Sequence, residues 1–257
     1  MADNQVSPTD VPLLRRRLAE VAQRRAFVVE ELGHVGGQPI LLMTSPPALH
    51  GPHILVAAGF HGEEPAGCWG ALRFLEQVED GVLGRVNLSL LPLVNPTGIR
   101  KARRFNDWGQ NPNSGFCHTP SGVPQPSREG ELLLANVDLL CDKAADGFLS
   151  LHEDIDETSF YIYSFEQSTS PGPFSDALVE VESRFFDRIA DGILEGGEIR
   201  GGVIFNHCDG SFEDALFHRG IPRTACTETP GQLPFERRVE ANAAIVERFC
   251  HFSVAQR

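Results

Sequence analysis

The stretch VAAGFHGEEPAGCWGALRFL, residues 56–75, sets an apolar run, an imidazole, two carboxylates and an amphipathic run in immediate succession. The apolar part belongs to HILVAAGF, which from residue 53 onward has the length and composition of a buried strand, and the part after Pro65 spaces its apolar residues as a helix does, to about Val78. Pro65 suits the first turn of that helix, where its missing N–H would have no partner anyway. The reading places His61 at the C-terminal end of a strand and Glu64 at the entrance of the next helix. In an open α/β sheet that edge is where ligands bind, so the question becomes what else the chain brings there.

Outward from this unit the alternation of short apolar runs and amphipathic segments continues. An opening helix is expected over residues 8–24, with Ser7, Thr9 or Asp10 as caps and Leu13, Leu14, Leu18 and Val21 on one face. AFVVEEL, ILLMT and VNLSLLPLVN read as further buried strands. After a helix at about 129–144 come GFLSLHED, a strand ending in His152, then SFYIYSF as another strand and a helix over 175–195. GVIFN, a helical piece near 211–219, TACTET and a last helix from about Phe235 to Phe252 complete the order. The pattern predicts one α/β domain over residues 1–257, a mixed, mostly parallel sheet flanked by helices. Between Asn95 and Arg128 the chain is crowded with Pro, Gly, Asn and Ser, and a loop this long in a compact domain is usually functional or disordered.

Composition narrows the function classes. With 35 acidic against 22 basic residues the formal charge is −13, which repels nucleic acid and anionic membranes; small molecules or peptides are the expected partners. The N-terminus lacks the basic-then-apolar order of a secretory signal and no apolar run is long enough for a membrane span, so a cytoplasmic protein is expected. The six cysteines, at 68, 117, 141, 208, 226 and 250, form no CxxC pair and read as free, mostly buried thiols. Phosphate-loop, GxGxxG, GxSxG and HExxH patterns are all absent from the sequence.

Strand ends therefore present His61, Glu64, His152 and Glu228. Two histidines and a carboxylate are a recurring ligand set for catalytic zinc that leaves a coordination position open for water. A second carboxylate can take the proton of that water, and Glu228 is the candidate. In this respect the chain resembles the zinc carboxypeptidases related to carboxypeptidase A, together with their aspartoacylase and succinylglutamate desuccinylase relatives. The resemblance runs in order from about Ile54 to Phe249: HGEE as an HxxE pair, VNPTG as a turn, GQNPNSGF, SLHED as the third-ligand strand and TETP as the strand of the catalytic glutamate. It implies one zinc ion on His61, Glu64 and His152, Glu228 as general base, Arg103 or Arg104 at the oxyanion, and Asn113 holding a substrate carboxylate. The implied activity is metallopeptidase hydrolysis of an amide bond beside a carboxylate-bearing residue. An N-acyl-amino-acid deacylase is the alternative, against which stands the short chain after Glu228, and a degenerate metal-binding member is a third.

Two departures bear on the substrate. Ser114 stands where the family has the arginine that grips a terminal carboxylate, and the family's late tyrosine has no counterpart, the only tyrosines being Tyr161 and Tyr163. Either Arg100, Arg103 or Arg128 reaches in from the long loop, or the substrate presents something else, such as a basic group drawn to the acidic run of Glu153, Asp154, Asp156 and Glu157. That run is otherwise a solvated loop or a support for His152, and the loop arginines otherwise balance an acidic surface. His34, His50, His53, His118, His207, His218 and His251 read as structural or solvated, and the His207–Cys208 neighbours carry little as a thiol nucleophile, since adjacent strand residues face opposite ways.

Overall fold

In the computed structural model, residues 7–119, 122, 124–194 and 196–256 are described. The first part of the N-terminal stretch read for a signal, three residues of the long loop (120, 121 and 123), residue 195 at the end of an expected helix and the last residue of the expected domain lie outside the described residues. The elements in order are α1 (Val11–Arg24), β1 (Val28–Val35), β2 (Gln38–Thr44), β3 (His53–Ala58), α2 (Ala66–Gln77), α3 (Asp80–Leu83), β4 (Asn87–Leu91), α4 (Pro96–Ile99), α5 (Arg128–Ala135), α6 (Val137–Lys143), β5 (Gly147–Asp154), β6 (Tyr161–Glu166), α7 (Pro173–Glu182), β7 (Gly192–Leu194), β8 (Gly197–Arg200), β9 (Val203–Phe205), α8 (Phe212–His218), β10 (Arg223–Pro230) and α9 (Phe235–Ala255).

All ten strands form one sheet in the order β1-β2-β4-β3-β5-β10-β6-β9-β8-β7. Parallel pairing is confined to the centre, β4-β3-β5-β10, and to β6 with β9; the remaining neighbours are antiparallel. The molecule is thus a single α/β domain with a mixed sheet, its parallel part narrower than the sequence pattern suggests. Central strands are buried on both faces, which is why they read as nearly continuous apolar runs. One face packs under α1, α2, α7 and α9, where Leu14, Leu18, Trp69, Leu72, Val246 and Phe249 join Ile54, Val56 and Leu149. The other carries Leu55, Phe148, Leu133, Leu140 and Phe212 under α5, α6 and α8. Asp10 caps α1 by accepting from Leu13 N at 2.9 Å, as its position before Val11 and Pro12 predicts.

Four expectations are corrected. β1 is an edge strand, exposed over most of its length rather than buried. The helix expected over 129–144 is broken at Asn136 into α5 and α6. The helix expected over 175–195 stops at Glu182, and the chain beyond forms the hairpin β7–β8; Gly196, with φ +83°, lies in its turn, and Gly201 and Gly202, with φ +58° and +81°, turn β8 into β9. β5 does not end at His152 but continues to Asp154, paired with β10 through Pro230. No helix among the described residues is long and apolar enough to cross a membrane.

Candidate metal centre and active-site cleft

The loop after β3 is shaped by close approach of main chains. Gly59 takes φ +71°, and a Cβ there would lie 2.6 Å from Cys68 Sγ; Gly62 is pressed against Gly98 and the Arg103 carbonyl, with no room for any side chain. Asn95 fixes the opposing turn. Its Oδ1 accepts from Gly98 N at 2.8 Å, capping α4, while Nδ2 donates to Phe60 O at 3.1 Å and Arg104 O at 3.4 Å. One side chain in VNPTG thereby ties the residue before His61 to the arginine that faces it.

His61, Glu64 and His152 are buried together, at 5%, 2% and 1% exposure. The Nδ1 atoms of the two imidazoles face opposite oxygens of Glu64, each at 2.8 Å, and donor atoms of all three lie within 4.8 Å of one another. His61 Nε2 lies 2.9 Å from Asn111 Oδ1 and Nδ1 faces Glu64; both oxygens only accept, so a cation bound at Nδ1 would take the place of the proton there and leave Nε2–H held on Asn111. Burial alone would raise the Glu64 carboxyl, but the charges of His61 and then His152 outweigh it and hold it well below the usual carboxylate range. At His152 burial disfavours charge, yet Glu64 pushes the imidazole up to about 9. A buried carboxylate drawing positive charge from two rings is the electrostatic setting a divalent cation requires, so these residues fit a metal ion.

Sheet order supplies the remaining carboxylates. β5 and β10 are parallel neighbours with His152 opposite Glu228 and Ser150 opposite Cys226, which sets all four side chains on one face of the sheet. Burial, then the charge of Glu64, pushes the Glu228 carboxyl well above its ordinary range, with His152 and Arg104 pulling the other way; a cation among the three donors would pull it further down. Glu153 points to the opposite face, where Ala66 N donates to it at 2.7 Å and Arg238 pairs with it. Asp154 accepts from the Tyr161 hydroxyl at 2.8 Å. The acidic run after His152 therefore does not line the site.

A cleft of about 180 Å³ opens over the three donors, lined by His61, Arg104, Asn111, Asn113, Ser114, His152, Tyr163, Asp209, Ser211, Glu213, Cys226 and Glu228. Of the loop arginines only Arg104 reaches it, with Nη1 3.1 Å from Glu64 Oε1. Arg103 is exposed on the turn beside it. Arg100 is exposed and lies 3.7 Å from Asp107, and Arg128 stacks over the Trp108 ring at 4.0 Å. Asn113 Nδ2 donates to Glu213 Oε2 at 3.1 Å while its Oδ1 accepts from Phe212 N at 3.0 Å. Ser114 is on the cleft wall.

Asn111, Tyr163, Asp209, Ser211, Glu213 and Cys226 also line the cleft, although the sequence reading assigns none of them to the site. Tyr163 enters from β6, so the cleft does hold a tyrosine, though not a late one. Asp209, whose carboxyl burial pushes up, sits in the loop before α8. Glu213, on α8, accepts from Ser150 Oγ and Asn113 and stands 3.8 Å from His152 Nε2, the place of a carboxylate that orients a ligating histidine. Its only sequence signal is Ser211, which caps α8 through Asp214 N.

The succinylglutamate desuccinylase/aspartoacylase catalytic-domain model matches residues 50–175, which include HGEE and SLHED. No curated protein matches the chain. Among solved structures, a "putative metallopeptidase" from Shewanella amazonensis SB2B is 42% identical, with 95% of this chain and 94% of that one covered and a TM-score of 0.91. Another from Shewanella denitrificans OS217 is 41% identical over 96% and 92% of the two chains, with a TM-score of 0.89. A metallo-carboxypeptidase from Burkholderia cenocepacia shares the fold at 20% identity, covering 97% and 71%, with a TM-score of 0.73.

Proposed function

Since the chain belongs to the same family as the Shewanella metallopeptidase it matches at 42% identity, and its residues 50–175 match the succinylglutamate desuccinylase/aspartoacylase catalytic-domain model, we propose that it is a zinc-dependent hydrolase of amide bonds in small peptides or N-acyl amino acids. The observation that carries this reading is one buried carboxylate, Glu64, facing the Nδ1 atoms of His61 and His152, with Glu228 and Arg104 on the same cleft. His61, Glu64 and His152 would hold the ion, which when bound supplies an acidified water and polarises the scissile carbonyl.

The chain's own residues do the rest. Glu228 accepts the proton of the attacking water and returns it to the departing amine nitrogen, as its place across from His152 allows. Arg104 turns from Glu64 to donate to the oxygen that gains charge as the carbonyl becomes tetrahedral. Asn111 keeps His61 in its ligating tautomer, and Glu213 with Asn113 steadies His152.

The opposite wall bears on the substrate. It offers Asn111, Asn113, Ser114, Tyr163 and Ser211 together with the carboxylates of Asp209 and Glu213, and Arg104 is the one Arg or Lys among the lining residues. A second carboxylate on the substrate would meet like charge there; a neutral or basic group next to the scissile amide fits better. The deacylase alternative is favoured by the family-model match; in both readings the amine side of the amide is an amino acid, and they differ in whether the acyl side is a peptide or a simple acyl group. Incubating the zinc-loaded protein with a mixed library of peptides and N-acyl amino acids, and identifying cleaved bonds by mass spectrometry, tests both. Cleavage of C-terminal residues supports the peptidase reading, loss of acyl groups the deacylase, and cleavage of neither class counts against a hydrolase of amides.

A further inference from the structure

A second gathering of metal-ligating side chains lies behind the wall that carries Asp209, Ser211 and Glu213. Cys117 from the long loop and Asp214 and His218 from α8 bring a thiol, a carboxylate and an imidazole within 4.8 Å of one another. Asp214 has no exposed surface, 0%. Its Oδ2 is well partnered, accepting from Gly210 N at 2.9 Å and from Cys117 Sγ at 3.3 Å. Its Oδ1 is buried and accepts no hydrogen bond, although His218 Nδ1 lies only 2.8 Å away. The reason is directional: the Nδ1–H of the ring lines up with the main-chain carbonyl of Asp214, 2.9 Å away, and not with Oδ1. Among the described residues no Arg or Lys forms an ion pair with Asp214; His218, itself half exposed, is its one basic partner. A buried carboxylate oxygen without a donor is rare in native structures and points to an ion or water not yet accounted for.

We propose that Cys117, Asp214 and His218 form a second metal site, distinct from the catalytic centre and selective for zinc or a similarly thiophilic divalent ion. A thiolate, an imidazole and a carboxylate are a donor set that zinc accepts and that magnesium or calcium does not favour. The ion takes the place between Oδ1 and Nδ1; the Cys117 thiol proton leaves to solvent, and the imidazole proton moves from Nδ1 to Nε2, on the half-exposed side of the ring. The site joins two segments that both serve the cleft. Cys117 follows Asn111, Asn113 and Ser114 in the loop, Asp214 follows Glu213 on α8, and Phe116 N already donates to Gly210 O at 3.1 Å between them. The bound ion therefore staples the recognition wall and contributes nothing to bond cleavage itself.

Cobalt reports thiolate coordination by a near-ultraviolet sulfur-to-metal charge-transfer band, which the His61, Glu64 and His152 donors cannot give. The full chain, stripped by chelator and titrated with Co²⁺, should take up two equivalents and show that band. Cys117→Ser and His218→Ala should each lose the band and one equivalent, while His152→Ala loses an equivalent and keeps the band. Cys226, whose thiol lies near His152 and Glu228 in the cleft, provides the control: Cys226→Ser should leave the band in place. In the unsubstituted chain, zinc should slow alkylation of Cys117 by about tenfold or more as read by peptide mapping, since a coordinated thiolate is a poor nucleophile. One equivalent in the wild type, a band that survives Cys117→Ser or disappears in Cys226→Ser, or unprotected Cys117 would each overturn the proposal.

Discussion

The two walls of the cleft are made in different ways. The donor wall, His61, Glu64, His152 and Glu228, rises from adjacent central strands, β3, β5 and β10, and from the entrance of α2. The recognition wall, Asn111, Asn113, Ser114, Asp209 and Glu213, comes from the long loop and from α8 with the loop before it. Chemistry that must not vary stands on central strands and a helix entrance, and recognition stands on a long loop and a short helix joined by a few bonds such as Asn113 Oδ1 to Phe212 N and Phe116 N to Gly210 O. Substitutions in the donor wall should therefore alter the reaction itself, and those in the recognition wall should change what is bound.

The largest effect is expected at Glu228. Glu228→Gln removes the proton acceptor and should lower kcat by about 10²–10⁴-fold with metal content unchanged; near-normal kcat would assign the base elsewhere. Arg104→Ala should lower kcat by about 10²–10³-fold if it serves the oxyanion, measured on whichever substrate the library screen finds.

Glu213 tests whether the walls are separate, because it stands on α8 yet faces His152. Glu213→Gln should weaken zinc binding by about 10–100-fold, the range for a carboxylate behind a ligating histidine. Competition with a chromophoric chelator measures it, and unchanged affinity would return Glu213 wholly to the recognition wall.

Ser114→Arg sharpens the comparison from the other side. A serine offers at most a neutral hydrogen bond where an arginine gives a charge-assisted pair, a difference of roughly 1–2 kcal/mol. Wild-type kcat/KM on unmodified C-terminal peptides should be low and should rise several-fold in the variant. High wild-type activity on such peptides with no gain would mean that the carboxylate is gripped by another group.

The smallest effect lies outside both walls. Glu182, at the end of α7, is buried with no hydrogen-bond partner for either carboxyl oxygen. Burial, and then the charge of Glu228, raises it well above the ordinary 4.5. A carboxyl whose folded pKa is raised adds stability below its unfolded value, and that contribution is lost as pH climbs through the folded value. Urea midpoints should therefore fall as pH rises above the ordinary carboxyl range, and Glu182→Leu should flatten that slope. An identical slope in the variant would remove Glu182 as its source.

The donor wall was the part legible in sequence because its members sit where local pattern changes: an apolar run gives way to His61, a helix begins at Glu64, and His152 closes a run of apolar residues. The pairing of His152 with Glu228 was not legible, since it depends on β10 entering the sheet beside β5, a neighbour relation with no local signal. The recognition wall was read only in part. Asn113 and Ser114 follow from family order, but Glu213 looks like any polar residue in the first turn of a helix, and Asp209 like any loop acid. Loop charge misleads for a geometric reason. Consecutive residues on a turn point apart, so Arg104 faces Glu64 while Arg103 faces solvent, and Arg100 and Arg128 find partners in Asp107 and Trp108. His218 read as solvated because its partners, Cys117 and Asp214, are brought to it only by the fold.

The central claim is that His61, Glu64 and His152 hold the catalytic ion through the two Nδ1 atoms and the Glu64 carboxylate. Anomalous diffraction at the zinc edge from crystals grown with zinc tests it most directly. The account predicts a peak about 2.0–2.2 Å from both Nδ1 atoms and from Glu64. No peak among these three residues in zinc-containing crystals, or a peak bound through an imidazole Nε2, would contradict it.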